Sequence, residues 1–413
     1  MIDNMITVDG NRLWQSLMKM AEIGATDKGG CNRQALTDLD AEGRQLFIGW
    51  CVQIGCEHRY DQMGNLFVRY PGTDDSLPPI LIGSHLDTQP TGGKFDGVYG
   101  VLAGLEVIRT LHDNNIKLVH PIEVVAWTNE EGARFAPAMI GSGVWAGEFD
   151  VEYGWNCKDK ENISIKNELI SHGMLGDSPC ESFPVKAAFE LHIEQGPILE
   201  AEELQIGVVK GVQGIRWYDL VIHGNPSHAG PTPMEQRQDP VLGMTRICQE
   251  LYQLIESYSP WARVTFGDVS VTPGSRNTVP ESLTLSVDMR HPDQMILDKM
   301  HENFKSLATR ICEANNLSYE LNEIWHSTAV AFDENCINQI EQSVKDHGYP
   351  YRTMFSGAGH DSVYTSKVVP TAMIFIPCEK GLSHNEEENV TIEDVTAGCN
   401  VLLGAVLNVN ENK

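Results

Sequence analysis

The stretch VYGVLAGLEVIRTLHDNN (98–115) lies between two short β-rich runs, PPILIGS (78–84) and IEVVAW (122–127). Its small and apolar residues have the composition of a buried helix, and the flanking runs have that of strands. Strand, helix and strand in this order imply a parallel pair joined by a right-handed crossover. The chain is thereby committed to an α/β sheet with helices packed on it. Two more β-rich runs, FELHIE (189–194) and TAMIFI (371–376), join that sheet, and residues 11–22 and 38–56 have helical spacing. Residues 151–185 are polar and irregular and are expected to form a surface excursion.

Residues 212–328 follow another pattern. IRWYDLVIHG predicts a strand, and DPVLGMTRICQELYQLIE a helix with Asp239 as its cap and Pro240 at its first position. ARVTFGDVSV and ESLTLSVDMR predict strands, HPDQMILDKMHENFKSLATRICEANN a second helix with the same proline start, and LSYELNEI a last strand. The order β-α-β-β-α-β is that of a ferredoxin-like α+β unit. The expected architecture is a discontinuous α/β domain, residues 1–211 and 329–413, with a smaller domain, 212–328, inserted in it. At 413 residues the chain is long enough for two such cores.

The polar residues cluster where the predicted strands end. ILIGS runs into His85, with Asp87 and then Asp96 after it; IEVVAW runs into Glu130 and Glu131; TAMIFI leads through a glycine-containing loop to His384. In FELHIE, residues 189, 191 and 193 share one face, and Glu190, His192 and Glu194 share the other. In open α/β sheets, sites form beyond the carboxyl ends of the strands. A lone histidine or a Glu-Glu turn is ordinary surface chemistry, but three histidines and three carboxylates at corresponding strand ends suit Zn²⁺, Mn²⁺ or Co²⁺. No cysteine lies in these motifs, which excludes a structural four-cysteine zinc site.

The chain carries 57 acidic and 30 basic residues, a formal net charge of −27, which argues against nucleic acid and anionic membrane surfaces as partners. Its start is polar, without a basic leader, and no apolar run approaches the ~20 residues of a membrane span. The ten cysteines are scattered without a CxxC pair, so reduced thiols and a cytoplasmic location are expected. GSGVWAG does not match GxSxG, and no Ser/His/Asp order supports nucleophilic hydrolysis.

Taken together, GSHLDT…GGKFDG, NEEGARF, ELHIEQGPILE, SHAGPTPMEQRQDP, SRNTVPESLTLSVDMRHP and GAGHDS…GLSHN resemble the two-metal M20-type amidohydrolases over essentially the whole chain. Within these they resemble the branch that cleaves N-carbamoyl amino acids, nearest in motif to the β-alanine synthases. The resemblance implies two divalent ions per subunit, zinc first, with manganese or cobalt as alternatives. Asp96 would bridge them, His85 and His192 would complete one site, and Glu131 and His384 the other. Glu130 would be the general base, and Asp87 would orient His85 by accepting its other N–H.

The same resemblance assigns substrate contacts to Gln195, His228, Asn277 and Arg290, and makes the inserted domain a lid that also forms a homodimer. The expected substrate is a small molecule with a free carboxylate, N-carbamoyl-β-alanine first and N-carbamoyl-α-amino acids second. Arg290 would hold the carboxylate beside the turn that carries Asn277. Allantoate, or the substrate of an M20-type dipeptidase or deacylase, is the alternative.

Overall fold

The computed structural model describes residues 6–411. Residues 1–5, part of the polar start, and residues 412 and 413 lie outside it. The chain divides into two compact units: residues up to Lys210 with Phe332 onward, and Gly211–Ala331. The ten cysteines form no disulfide.

The first unit is built on a mixed sheet. Its strands run in the order Glu57–Tyr60, Leu66–Tyr70, Ile122–Trp127, Ile80–His85, Ala187–Ile193, Thr371–Ile376, Ile206–Val212. The middle four are parallel to one another, and the flanking strands are antiparallel. Every residue of the four parallel strands is buried, because helices cover both faces of such a sheet. Helix Val98–Asp113 provides the crossover between the first two of them. It starts at Gly97, whose φ is +67°; a Cβ there would stand 2.3 Å from the His85 ring. Both the backbone conformation and the space demand glycine.

Helix Ile392–Glu411 is long and apolar enough to cross a membrane, contrary to the expectation that no such run exists. It is mostly buried, packed against Gly10–Ala21, Val98–Asp113 and Glu334–His347, which accounts for its composition. Residues 151–185 also depart from expectation. They contain helices Val151–Asn156 and Ile165–Ser171, and they bury Ile165, Leu169, Met174, Cys180 and Val185 in one cluster with Trp127 and Trp145. The apolar residues are too widely spaced among polar ones to show a helical period.

The second unit is an antiparallel sheet with helices Pro240–Glu256 and Gln294–Ala314 on one face. The central pair is Gly214–His223 with Ser282–His291, and Ser318–Ser327 is an edge strand. ARVTFGDVSV forms two short strands rather than one, Arg263–Thr265 and Val269–Thr272, both paired with Ser282–His291. Pro292 stands before the second helix and not in its first turn; Asp293 is the cap and accepts the N–H groups of Met295 and Ile296.

Candidate metal centre

The three parallel strand ends and the loop before Ile392 deliver the predicted ligands to one place. His85 Nε2 lies 3.7 Å from Asp96 Oδ1, and His192 Nε2 lies 3.1 Å from the same oxygen. His384 Nε2 faces the other Asp96 oxygen at 3.4 Å and Glu131 Oε2 at 3.2 Å. The ligand atoms of His85, Asp96 and His192 lie within 4.8 Å of one another, and so do those of Asp96, Glu131 and His384. Two donor triads therefore share one carboxylate, each using a different oxygen. Imidazole nitrogen with carboxylate oxygen fits a divalent transition ion at each.

The adjacent glutamates part company. Glu131 turns to His384, while Glu130 Oε2 sits 3.4 Å from His85 Nε2 on the side of the other triad. Glu131 also accepts from the backbone N–H and the side-chain amide of Gln89. Glu130 is buried, and among the described residues its carboxylate meets the His85 ring rather than an amide donor. Burial first, and then the charges of Asp361 and Glu131, push its carboxyl well above the ordinary range. A nearby cation acts in the opposite direction.

Asp96 shows the converse. Burial opposes its charge, but bonds from His192 and His384 outweigh that and hold it well below the carboxylate range. The partners move accordingly. His192 rises to about 9 despite its burial, through the Asp96 bond, and His384 rises to about 10 through Asp96 and Glu131.

Asp87 works differently from the expectation. Its main-chain oxygen, not its carboxylate, accepts from His85 Nδ1 at 2.9 Å; the carboxylate stands 3.9 Å away. That carboxylate instead accepts the backbone N–H groups of Glu130 and Glu131, at 3.4 and 3.2 Å. Asp87 thus fixes the backbone from which the two glutamates diverge. Gln195 also has an additional role: its Nε2 donates to Asp96 Oδ2 at 2.9 Å and to Ser383 Oγ at 3.0 Å. Its Oε1 is buried without a partner among the described residues. Asn129, Gln195 and His384 all have φ near +55°, a conformation that costs non-glycine residues about 1 kcal/mol or more and that concentrates at functional sites.

Several supporting residues carried no signal in the sequence. Arg44 is fully buried, paired with Asp40 at 3.0 Å, and donates to the carbonyls of Gly64 and Trp127 and to the Thr128 hydroxyl. Arg33, also buried, donates to the carbonyls of Met20, Ile23 and Leu86. The two guanidinium groups grip the chain immediately after His85 and just before Glu130. Glu388 accepts the backbone N–H groups of Phe95 and Asp96, at 2.8 and 3.1 Å. Glu190, His192 and His360 form a third cluster of ligand-type groups. Its members are already satisfied: Glu190 takes the hydroxyls of Ser84 and Ser362, His360 Nε2 bonds Ser356 Oγ, and His192 Nδ1 donates to the Ile193 carbonyl. It is a buried polar layer beneath the site.

The second unit separates the remaining candidates. Thr278 pairs with His228, so Asn277 and His228 are neighbours in a two-stranded ribbon. Ala229 N–H donates to the Asn277 carbonyl at 2.9 Å. The ribbon continues the ladder beyond Ser282, where Gly224 N–H meets the Glu281 carbonyl at 2.8 Å. Arg290 is at the opposite end of Ser282–His291, paired with Asp288 at 2.8 Å. Eight residues of strand span about 27 Å. Arg290 is therefore not beside the turn that carries Asn277. The spacing of the two motifs in sequence conceals an intervening strand.

The sequence model of Peptidase family M20/M25/M40 matches residues 81–408. The chain is 47% identical over 404 residues to an N-carbamoyl-L-amino-acid amidohydrolase of Rhizobium meliloti, covering 98% of this chain and 97% of that one. It is 32% identical over 400 residues to the allantoate amidohydrolase of Escherichia coli strain K12, covering 96% and 97%. An amidase of the hydantoinase/carbamoylase family from Burkholderia multivorans matches with a TM-score of 0.96 and 50% identity, over 98% of this chain and 99% of that one. A family match over most of the chain, and relatives similar along their whole length, agree with donor triads that share Asp96: this protein belongs to peptidase family M20/M25/M40.

Proposed function

We propose that the protein is a metal-dependent amidohydrolase that splits N-carbamoyl-L-α-amino acids into amino acid, ammonia and carbon dioxide. One observation carries the reading: Asp96 joins two donor triads, and Glu130 stands beside one of them without entering the other. The triads are complete for two divalent ions, with zinc first and manganese or cobalt as alternatives. Such ions would polarise a carbonyl and acidify a water.

The chain's own residues would do the rest. Glu130 takes the proton of the attacking water and returns it to the leaving nitrogen. The unpartnered Oε1 of Gln195 is an acceptor for a ureido N–H. Arg290 offers its guanidinium to the substrate carboxylate, and His228 and Asn277 supply donors to the carbonyl end. Arg290 and the His228–Asn277 ribbon lie too far apart for one inserted unit to bring both to one small ligand. We infer that the protein is a homodimer in which the ribbon serves the site of the second copy. The exposed edge strand Ser318–Ser327 offers such a copy a ladder to extend.

The α-amino acid precedes β-alanine here because relatives similar over their whole length are named for N-carbamoyl-L-amino acids, and β-alanine has no L form. The test is a panel on protein reconstituted with each metal: N-carbamoyl-L-amino acids, N-carbamoyl-β-alanine, allantoate and a dipeptide, with ammonia as readout. Turnover of N-carbamoyl-L-amino acids above the others, abolished by chelation, is the expected outcome. Preference for the dipeptide, or full activity in metal-free protein, would overturn the reading.

A further inference from the structure

The sheet of the second unit has one face covered and one open. Tyr218, Leu220, Leu285, Val287 and Met289 face the helices. The residues between them face the other way, and they are mostly polar, as an uncovered face should be. One end of that face is the exception. Trp217 and Trp325 are 42% and 44% exposed, with ring centroids 4.9 Å apart.

The strand register places this pair next to Arg290. Asp288 is directly opposite Trp217, and Trp217 is directly opposite Trp325. Arg290 follows Asp288 by two residues, on the same face, and is therefore a diagonal neighbour of Trp217. The pairing of Trp325 depends on an irregularity. The ladder is regular from Ser318 to Glu323, which faces Tyr218; then the register shifts, and Trp325 takes the place opposite Trp217. In an unbroken ladder Ile324 would occupy that place, and Trp325 would turn toward the helices. The bulge aims the second indole onto the face that carries Arg290, the kind of local redirection that bulges provide beside binding sites.

We propose that Trp217 and Trp325 form the subsite for the substrate side chain, and that they give the enzyme a preference for N-carbamoyl-L-α-amino acids with large apolar or aromatic side chains. The proposal rests on the reading of Arg290 as the carboxylate anchor. In an α-amino acid the carboxylate and the side chain leave the same carbon, so the neighbours of the anchor are the neighbours of the side chain. Two rigid indoles offer a broad apolar surface at low entropic cost. N-carbamoylglycine and N-carbamoyl-β-alanine carry no side chain at the carbon and gain nothing from it.

The experiment compares wild type, Trp217→Ala, Trp325→Ala, the double variant, Trp217→Phe and Arg290→Ala in the metal-loaded enzyme. kcat/KM is measured for N-carbamoyl-L-phenylalanine, N-carbamoyl-L-tryptophan, N-carbamoylglycine and N-carbamoyl-β-alanine, with sedimentation on each variant. The double variant should lose roughly 10–100-fold on the aromatic substrates, the range that apolar pocket contacts command, and leave N-carbamoylglycine unchanged. Trp217→Phe should keep most of the preference. An equal loss on all substrates, or no loss, overturns the proposal. So does a change of assembly without a change of selectivity, which would make the pair a surface for a second copy. Arg290→Ala separates the two readings: normal rates in that variant remove the anchor, whatever the tryptophan variants do.

Discussion

The two units hold their polar residues in opposite ways. In the first, His85, Asp96, Glu130 and His192 are buried, and their loops are tied down by Asp87, Glu388 and two buried arginines. In the second, His228 and Asn277 are exposed, and their side chains bond near neighbours in the chain: His228 Nδ1 accepts from the Gly230 N–H, and Asn277 Oδ1 accepts from the Ser275 hydroxyl. The difference separates two kinds of specificity. Metal geometry has to exist before the ion arrives, because a ligand set that is loose by an ångström binds the wrong ion or none. Contacts to a substrate can be completed by what meets the surface. The first unit is preorganised, and the second presents.

The sharpest break of that contrast is inside the Glu130–Glu131 pair. Glu130→Gln should lower kcat by about 10³-fold or more and leave metal content and thermal stability unchanged. Glu131→Gln should lose metal instead. Metal loss in the first variant, or near-normal rates in both, would undo the division of roles. Next comes the brace. Arg44→Met leaves Asp40 charged and buried and should cost about 3–5 kcal/mol in denaturant unfolding. An exposed residue of the second unit, such as His228→Ala, should leave stability untouched while lowering activity. Arg290→Lys should reduce kcat/KM by roughly 10–100-fold without altering unfolding, because lysine cannot reproduce a bidentate contact. Equal stability losses for Arg44→Met and Arg290→Lys would erase the distinction between the units.

The smallest effect concerns pH. His192 and His384 stand at about 9 and about 10 in the folded chain, above the ordinary ~6.5. They bind protons that the unfolded chain releases. Their contribution is therefore complete below pH ~6.5 and is lost as pH rises through 9 and 10. In chelated protein the melting temperature should fall over that window, whereas in metal-loaded protein the imidazoles are already held by the ion and the fall should shrink. Parallel profiles for the two forms would show that the cluster does not carry those protons.

The contrast between the units also explains what the sequence disclosed. The parallel strands are buried on both faces, so their apolar runs stand out, and a ligand at a strand end follows directly. His85, Glu130 and His192 were legible for that reason. His384 needed the motif, because its loop has no period. Arg44 was hidden: in AEGRQLF it occupies a helix where an arginine ordinarily faces water, and only the tertiary fold turns it inward. The distance between Asn277 and Arg290 was hidden too, since thirteen positions of sequence (290 − 277) do not say whether the chain folds back or runs on. The bulge at Ile324 depends on pairing with Gly214–His223, a relation across about a hundred residues that no local pattern carries.

Arg33 and Arg44 lie outside the stretch that the family model matches, which begins at residue 81. A truncated chain started at that boundary would keep every proposed ligand, the proposed base and the whole of the second unit. It would also keep the Leu86 and Trp127 carbonyls, now without the guanidinium groups that bind them. The segment that looks dispensable for expression or for grafting the site onto another scaffold is thus the one that sets its dimensions, and the useful minimal fragment of this enzyme starts before Arg33.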